Sequence, residues 1–222
     1  GPKLRNKLIV ELRKLLAPAE VAKTSKKLGY GKKSKPFSIN LEFNGFPENY
    51  NEAISIEPFN IVDLFDYRVH GSISSSGIIE ASYINQNTPG LKEEKINKTI
   101  FLEDSSTQAF PGKILFDFRV FDRDPESIDQ LIERGLTDPL SGESVGKRKA
   151  KEILNEYYGV SIFRGHFRVR PYGDRDYDWL ELDKMRVQNP SMKIGHNQII
   201  GFVSIQSEEH SDLQEKSARD GL

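Results

Sequence analysis

The sequence has no cysteine, only two methionines and a single tryptophan in 222 residues. Without cysteine there are no disulfides and no thiolate metal sites, which fits a reducing, cytoplasmic setting. No run approaches the about eighteen apolar residues that a membrane-spanning helix needs, and no signal peptide is visible, so no membrane partner is expected. The four histidines, His70, His166, His196 and His210, are scattered without ligand spacing, which predicts no metal site. The chain opens on Gly1-Pro2 with no initiator methionine, which reads as a protease scar on an excised fragment.

What is present is polar but foldable. Hydrophobic residues make up 36% and charged residues 29%, with a mean hydropathy of -0.56. A chain of this length holds one large domain or two small ones and buries roughly two-thirds of its unfolded surface. The net charge of -1 conceals a segregation. Residues 1–35 carry eleven Lys/Arg against two Asp/Glu, or +9, and the remainder carries 21 against 31, or -10. A basic arm of that kind attracts phosphates, and Lys32 and Lys33 beside Gly29 and Gly31 are its candidate contacts.

Leu4, Leu8, Leu12, Leu15 and Leu16 recur at helical spacing, so residues 3–16 are predicted as an amphipathic helix that Pro18 helps to end. Residues 1–35 then form a connector helix and basic linker, and 36–222 a domain in which 36–110 could be an inserted β-subdomain. Phe37 to Phe43 alternates with period two, as a half-buried strand does. Tyr67–Ile73 and Ile78–Ile84, joined by Ser74 to Gly77, predict a hairpin. Asn87 to Thr107 is polar and reads as loop, with a short strand possible at Thr99 to Leu102. Lys113 to Phe121 sets Ile114, Phe116, Phe118 and Val120 on one face and Leu115, Asp117, Arg119 and Phe121 on the other.

Asp124-Pro125-Glu126 starts a helix, because Asp124 can accept the free backbone donors and Pro125 is preset for the first turn. A second helix is predicted from Val145 to Tyr158. Residues 160–169 predict a hairpin turning at Gly165, Asp178 to Asp183 a short helix, and Ile199 to Ile205 a strand opened by Gly195 to Gln198. The sum is an α+β fold, a mixed or antiparallel sheet with helices packed on one face. Gly142 to Lys147 imitates a phosphate loop but has three residues between its glycines and Arg148 where Ser or Thr is required.

Three runs carry a resemblance: GVSIFRGHFRVRPYGDRDYDWLELD (Gly159 to Asp183), GHNQIIGFVSI (Gly195 to Ile205) and EKSARDGL (Glu215 to Leu222). Together they resemble the transducer (middle) domain of GHKL ATPases, the superfamily of gyrase B, MutL, the 90-kilodalton heat-shock chaperones and MORC proteins, and are most similar to MORC-like bacterial members. The similarity is looser from Phe37 to Asp124, where FSINLEF, DYRVHGSI and KILFDFRVFDRD fit by order and type.

The resemblance implies a transducer-type βαβ unit with a left-handed crossover and a terminal loop that offers a cation to the γ-phosphate of ATP. Lys216 matches the loop lysine of the MORC pattern and Arg219 the loop arginine of the heat-shock chaperones. Gln198 could support that loop or read phosphate. ATP and Mg are implied for a full-length protein. The family's Asp-x-Gly-x-Gly turn and glycine-rich lid do not occur in this sequence, so an N-terminal ATP-binding domain of the same chain is the expected partner, within a homodimer. A role in bacterial antiviral defence would follow from the family alone. The alternative reading is a nucleic-acid-binding module that uses the basic arm with Arg164, Arg168 and Arg170 as a stripe on one hairpin, or else a protein-interaction scaffold.

Overall fold

The computed structural model describes residues 2–19, 21, 26–28, 38–45, 53–58, 64–88, 90, 93–100, 112–190 and 192–213. In chain order its elements are α1 (Pro2–Arg13), β1 (Ile39–Glu42), β2 (Ala53–Ile56), β3 (Tyr67–Ile73), β4 (Ile78–Asn85), β5 (Glu93–Thr99) and β6 (Ile114–Val120). There follow α2 (Pro125–Glu133), α3 (Lys147–Tyr157), β7 (Gly159–Arg164), β8 (Phe167–Val169), α4 (Leu182–Gln188) and β9 (Ile199–Ile205). Strands β1 and β2 pair with each other, and the other seven form one sheet in the order β5-β4-β3-β6-β9-β7-β8. Every neighbouring pair is antiparallel except β7 with β9, so the α+β class read from the sequence holds. Parallel neighbours require a crossover, and residues 165–198, carrying β8 and α4, supply it.

Register decides what each face of this sheet carries. Asp117 pairs with Phe202 and Phe202 with Ser161, which places the three on one face. Phe116, Val203 and Ile162 line up in the same way on the other. On the first face, Ile128 and Leu131 of α2 and Ile153 and Leu154 of α3 close over Phe65 and Phe121. Side chains of this size each contribute about 1.5–3 kcal/mol when fully buried, so packing, more than helix propensity, holds α2 and α3 in place. Just beyond α1, Ala17 and Val21 cover Phe163 and Phe202 of the same face. Ile9 and Leu16 pack on Ile56 of the small sheet.

The opposite face is closed by the crossover, where Trp179, Leu180, Leu182 and Ile194 pack on Val160, Ile162 and Val203. Trp179 Nε1 donates to the Val160 carbonyl at 2.8 Å, which fixes the indole as a core plug. Thus α4 touches the face that the other helices leave, through Leu182.

The start of α2 follows the reading of its sequence. The Asp124 side chain accepts from the backbone N–H groups of Glu126 and Ser127, with Pro125 in the first turn. Two segments differ from expectation. β5 occupies a stretch read as loop; all of its residues but Ile96 are exposed, and it pairs only with β4, so as a charged edge strand it shows no apolar alternation. The short helix expected at Asp178–Asp183 begins instead at Leu182. Asp178 Oδ2 accepts the Asp183 N–H at 2.8 Å, and Glu181 takes a left-handed φ of 52°, which makes residues 178–181 a turn.

No helix among the described residues is long and apolar enough to cross a membrane.

Candidate functional site

Between the C-terminal end of α1, the β7–β9 part of the sheet and the turn after β8 lies a cleft of about 280 Å³. Phe163, Ile200 and Phe202 form its apolar floor, while Glu11 and Lys14 overhang it from the α1 side. The turn at Gly173 to Asp176 makes the remaining wall. That turn lies hard against β7: Gly173 has φ +81°, and a Cβ built on it would stand 2.2 Å from Ser161 Oγ. Glycine is the residue that tolerates both the backbone angle and the approach.

Arg168 reaches into this cleft from β8 with its side chain 4% exposed. Its Nε donates to the Tyr172 carbonyl at 3.1 Å, its Nη1 to the Lys14 carbonyl at 3.1 Å and its Nη2 to Asp174 Oδ1 at 3.0 Å. Burial first, and neighbouring Arg170 second, pull its pKa down to about 10, which still leaves a cation at neutral pH. Lys14 Nζ bridges Glu11 at 3.0 Å and Glu156 at 2.5 Å. Arg175 stands over the Tyr158 ring, 5.6 Å from its centroid.

A second buried guanidinium, Arg119 at 2% exposure, lines the cleft from β6. Its Nη2 lies 3.2 Å from Asp117 Oδ2, and the same carboxylate receives two bonds from Arg68, at 3.0 and 2.6 Å. One carboxylate therefore serves two arginines on the inner face of the sheet. Next to them, burial and then Arg68 lower the pKa of His70.

The residues singled out from the sequence fall in several places. Lys216, Arg219, Lys32 and Lys33 lie outside the described residues. Gln198 accepts the Gly195 N–H through Oε1 at 2.9 Å, a local bond that closes the turn before β9. Arg164, Arg168 and Arg170 do not form a common stripe. Register sets Arg168 opposite Phe163 and Phe167 opposite Arg164, so Arg164 and Arg168 leave the sheet on opposite faces. Arg164 is held by Glu208 at 2.6 Å and by the Leu213 carbonyl at 2.5 Å. Arg170, half exposed, pairs with Asp174 at 2.5 Å.

Sequence reasoning missed Arg119 and Lys14 as members of a site. A usable signal for the first was an aspartate and an arginine two apart on the otherwise apolar inner face of β6. Lys14 carried none, because its partners within the cleft, Glu156 and Arg168, lie more than a hundred positions away and only Glu11 is local. No three histidine, aspartate or glutamate side chains among the described residues gather as metal ligands would. The cleft offers fixed donors and an apolar floor, which is an arrangement for binding. No family model, curated protein or solved structure matches this chain.

Proposed function

We propose that this chain is a transducer module of a GHKL-type ATPase, most similar to MORC-like bacterial members. In this reading Lys216 and Arg219 meet the γ-phosphate of an ATP that an N-terminal domain of the same protein holds with Mg, and the complete protein is a cytoplasmic homodimer. The observation that supports it is the junction at Gln206. Its Oε1 accepts the Lys113 N–H at 2.6 Å while its Nε2 donates to the Leu28 carbonyl at 3.4 Å. The segment coming in from the N-terminal side and the strand leading out are thereby tied together at one end of the sheet. A loop that must turn back toward an upstream domain needs that adjacency.

Arg164 adds a second support. By holding Glu208 and the Leu213 carbonyl, it fixes the outgoing chain shortly before the terminal cations. Preorganised charge is what stabilises the γ-phosphoryl oxygens as transfer proceeds. Domain closure over nucleotide would couple that contact to motion.

The test is ATP turnover by a protein that joins this chain to its nucleotide-binding domain. Lys216→Ala or Arg219→Ala should lower kcat about 10²-fold or more for whichever cation meets the phosphate. Unchanged turnover in both variants removes the reading. The nucleic-acid alternative draws little from the hairpin, because Arg164 and Arg168 leave the sheet on opposite faces and offer no common stripe.

A further inference from the structure

We propose that the cleft beneath α1 binds a compact organic anion, a carboxylate or phosphate head on an apolar body, at Arg168 and Arg119. This site uses neither Lys216 nor Arg219 and is independent of the ATPase reading. Three observations carry it.

The first is donor capacity at depth. Arg168 is almost wholly buried yet spends three of the five N–H groups of its guanidinium, on Tyr172, Lys14 and Asp174. Two donors of a fixed, planar fork remain on a side chain that lines the cavity. Such forks match carboxylate and phosphate oxygens in geometry as well as charge.

The second is the arrangement of charge with depth. Arg168 and Arg119, the innermost cations, have side chains only 4% and 2% exposed, whereas the carboxylates of Glu11, Glu156 and Asp174 sit nearer the mouth at 46%, 35% and 33%. Asp117, 7% exposed, stands at the same depth but is shared by Arg119 and Arg68, so a ligand entering the cleft still meets net positive charge at the bottom, in a setting where water screens it least.

The third is the floor. Phe163, Ile200 and Phe202 give the anion's remainder an apolar surface, and the volume of about 280 Å³ stands at the small end of ligand pockets. Inorganic phosphate would leave that floor uncovered. A neutral aromatic would leave the buried donors unused.

Titration calorimetry of the whole chain tests the assignment with four probes: benzoate, phenyl phosphate, inorganic phosphate and benzyl alcohol. At least one of the two aryl anions should saturate below about 1 mM, with phosphate and benzyl alcohol at least about tenfold weaker. Ile200→Trp, which fills the floor beside Arg119 while keeping every charge, should abolish that binding, and Arg170→Ala at the mouth should weaken it about threefold or more. Absence of saturation by either aryl anion up to about 10 mM overturns the proposal. So does equal binding of benzyl alcohol, which would make the cleft an apolar gap, or equal binding of phosphate, which would reduce it to exposed rim cations. Wild-type affinity in Ile200→Trp overturns it as well. Should that variant fail to fold, unchanged affinity in Arg170→Ala does the same.

Discussion

Arg168 Nη1 donates to the backbone carbonyl of Lys14 at 3.1 Å, joining edge strand β8 to the chain just past α1 across 154 positions of sequence. A guanidinium at that place also meets the negative end of the helix dipole. Two more bonds, to Tyr172 and Asp174, make Arg168 the common anchor of α1, β8 and the turn that walls the cleft. Removing it strands the Tyr172 and Lys14 carbonyls and leaves Asp174 with Arg170 as its remaining cation. Arg168→Ala should lower the unfolding free energy by about 3 kcal/mol in urea denaturation. Hydrogen exchange should rise selectively over residues 2–16. A loss under about 1 kcal/mol would mean that solvent screens these contacts.

Gly173 makes a sharper prediction. Alanine there must hold a φ of +81° and place its Cβ 2.2 Å from Ser161 Oγ and 2.8 Å from Ser161 Cα. Left-handed backbone alone costs a non-glycine residue about 1–2 kcal/mol, and the contact adds to it. Gly173→Ala should therefore destabilise by about 2 kcal/mol or more in urea denaturation. Adding Ser161→Ala should restore only part of the loss, because the Cα remains. Full rescue by the double variant would show that the hydroxyl was the whole obstacle.

At Asp117 one carboxylate, 7% exposed, holds both Arg68 and Arg119. Asn at this position keeps the size and loses the charge, leaving Arg119 buried beside Arg68 without the anion they share. Breaking a buried pair from one side costs about 3–5 kcal/mol, so Asp117→Asn should be among the most destabilising single changes in the sheet. The thermal midpoint checks this against Val187→Ser on the 82% exposed side chain of α4, which should fall within about 0.5 kcal/mol of wild type.

The parts of this fold that announce themselves in sequence are those with local causes. Asp124 and Pro125 mark the start of α2 because a cap and a preset φ act within four residues. Residues 114–121 show two distinct faces because period-two alternation is local. β5 stayed hidden, since a charged edge strand is fixed by its partner β4 and has no apolar face of its own. The arginines illustrate the same limit: spacing at 164, 168 and 170 suggests one stripe. Their fates are decided by the hairpin register and by carbonyls of Lys14 and Leu213 that no nearby residue betrays. Lys14 and Arg119 became neighbours of one cleft through tertiary packing, so their part in it could be read only from the assembled sheet.

His70 supplies a pH dependence with a definite sign. It lies on the inner face of β3, opposite Asp117 on one side and Ser82 on the other. Its pKa falls below the ordinary 6.5, chiefly through burial and then through Arg68, with Lys95 in the same direction and Asp117 and Glu93 opposing. The unfolded chain therefore binds more protons than the folded one once the pH drops into the window between the two values. Stability rises with pH wherever the unfolded state holds more protons, so this contribution is complete above about pH 7 and drains away as the pH falls through 6.5 toward the folded value. Proton NMR should place the His70 titration below 6.5. In Asp117→Asn it should move lower still, because the neighbour that favoured the imidazolium is gone. His70→Asn should flatten the stability profile between about pH 7 and pH 5 relative to wild type. An unaltered profile, or an NMR midpoint above the ordinary value, would mean that Asp117 and Glu93 outweigh burial at this histidine.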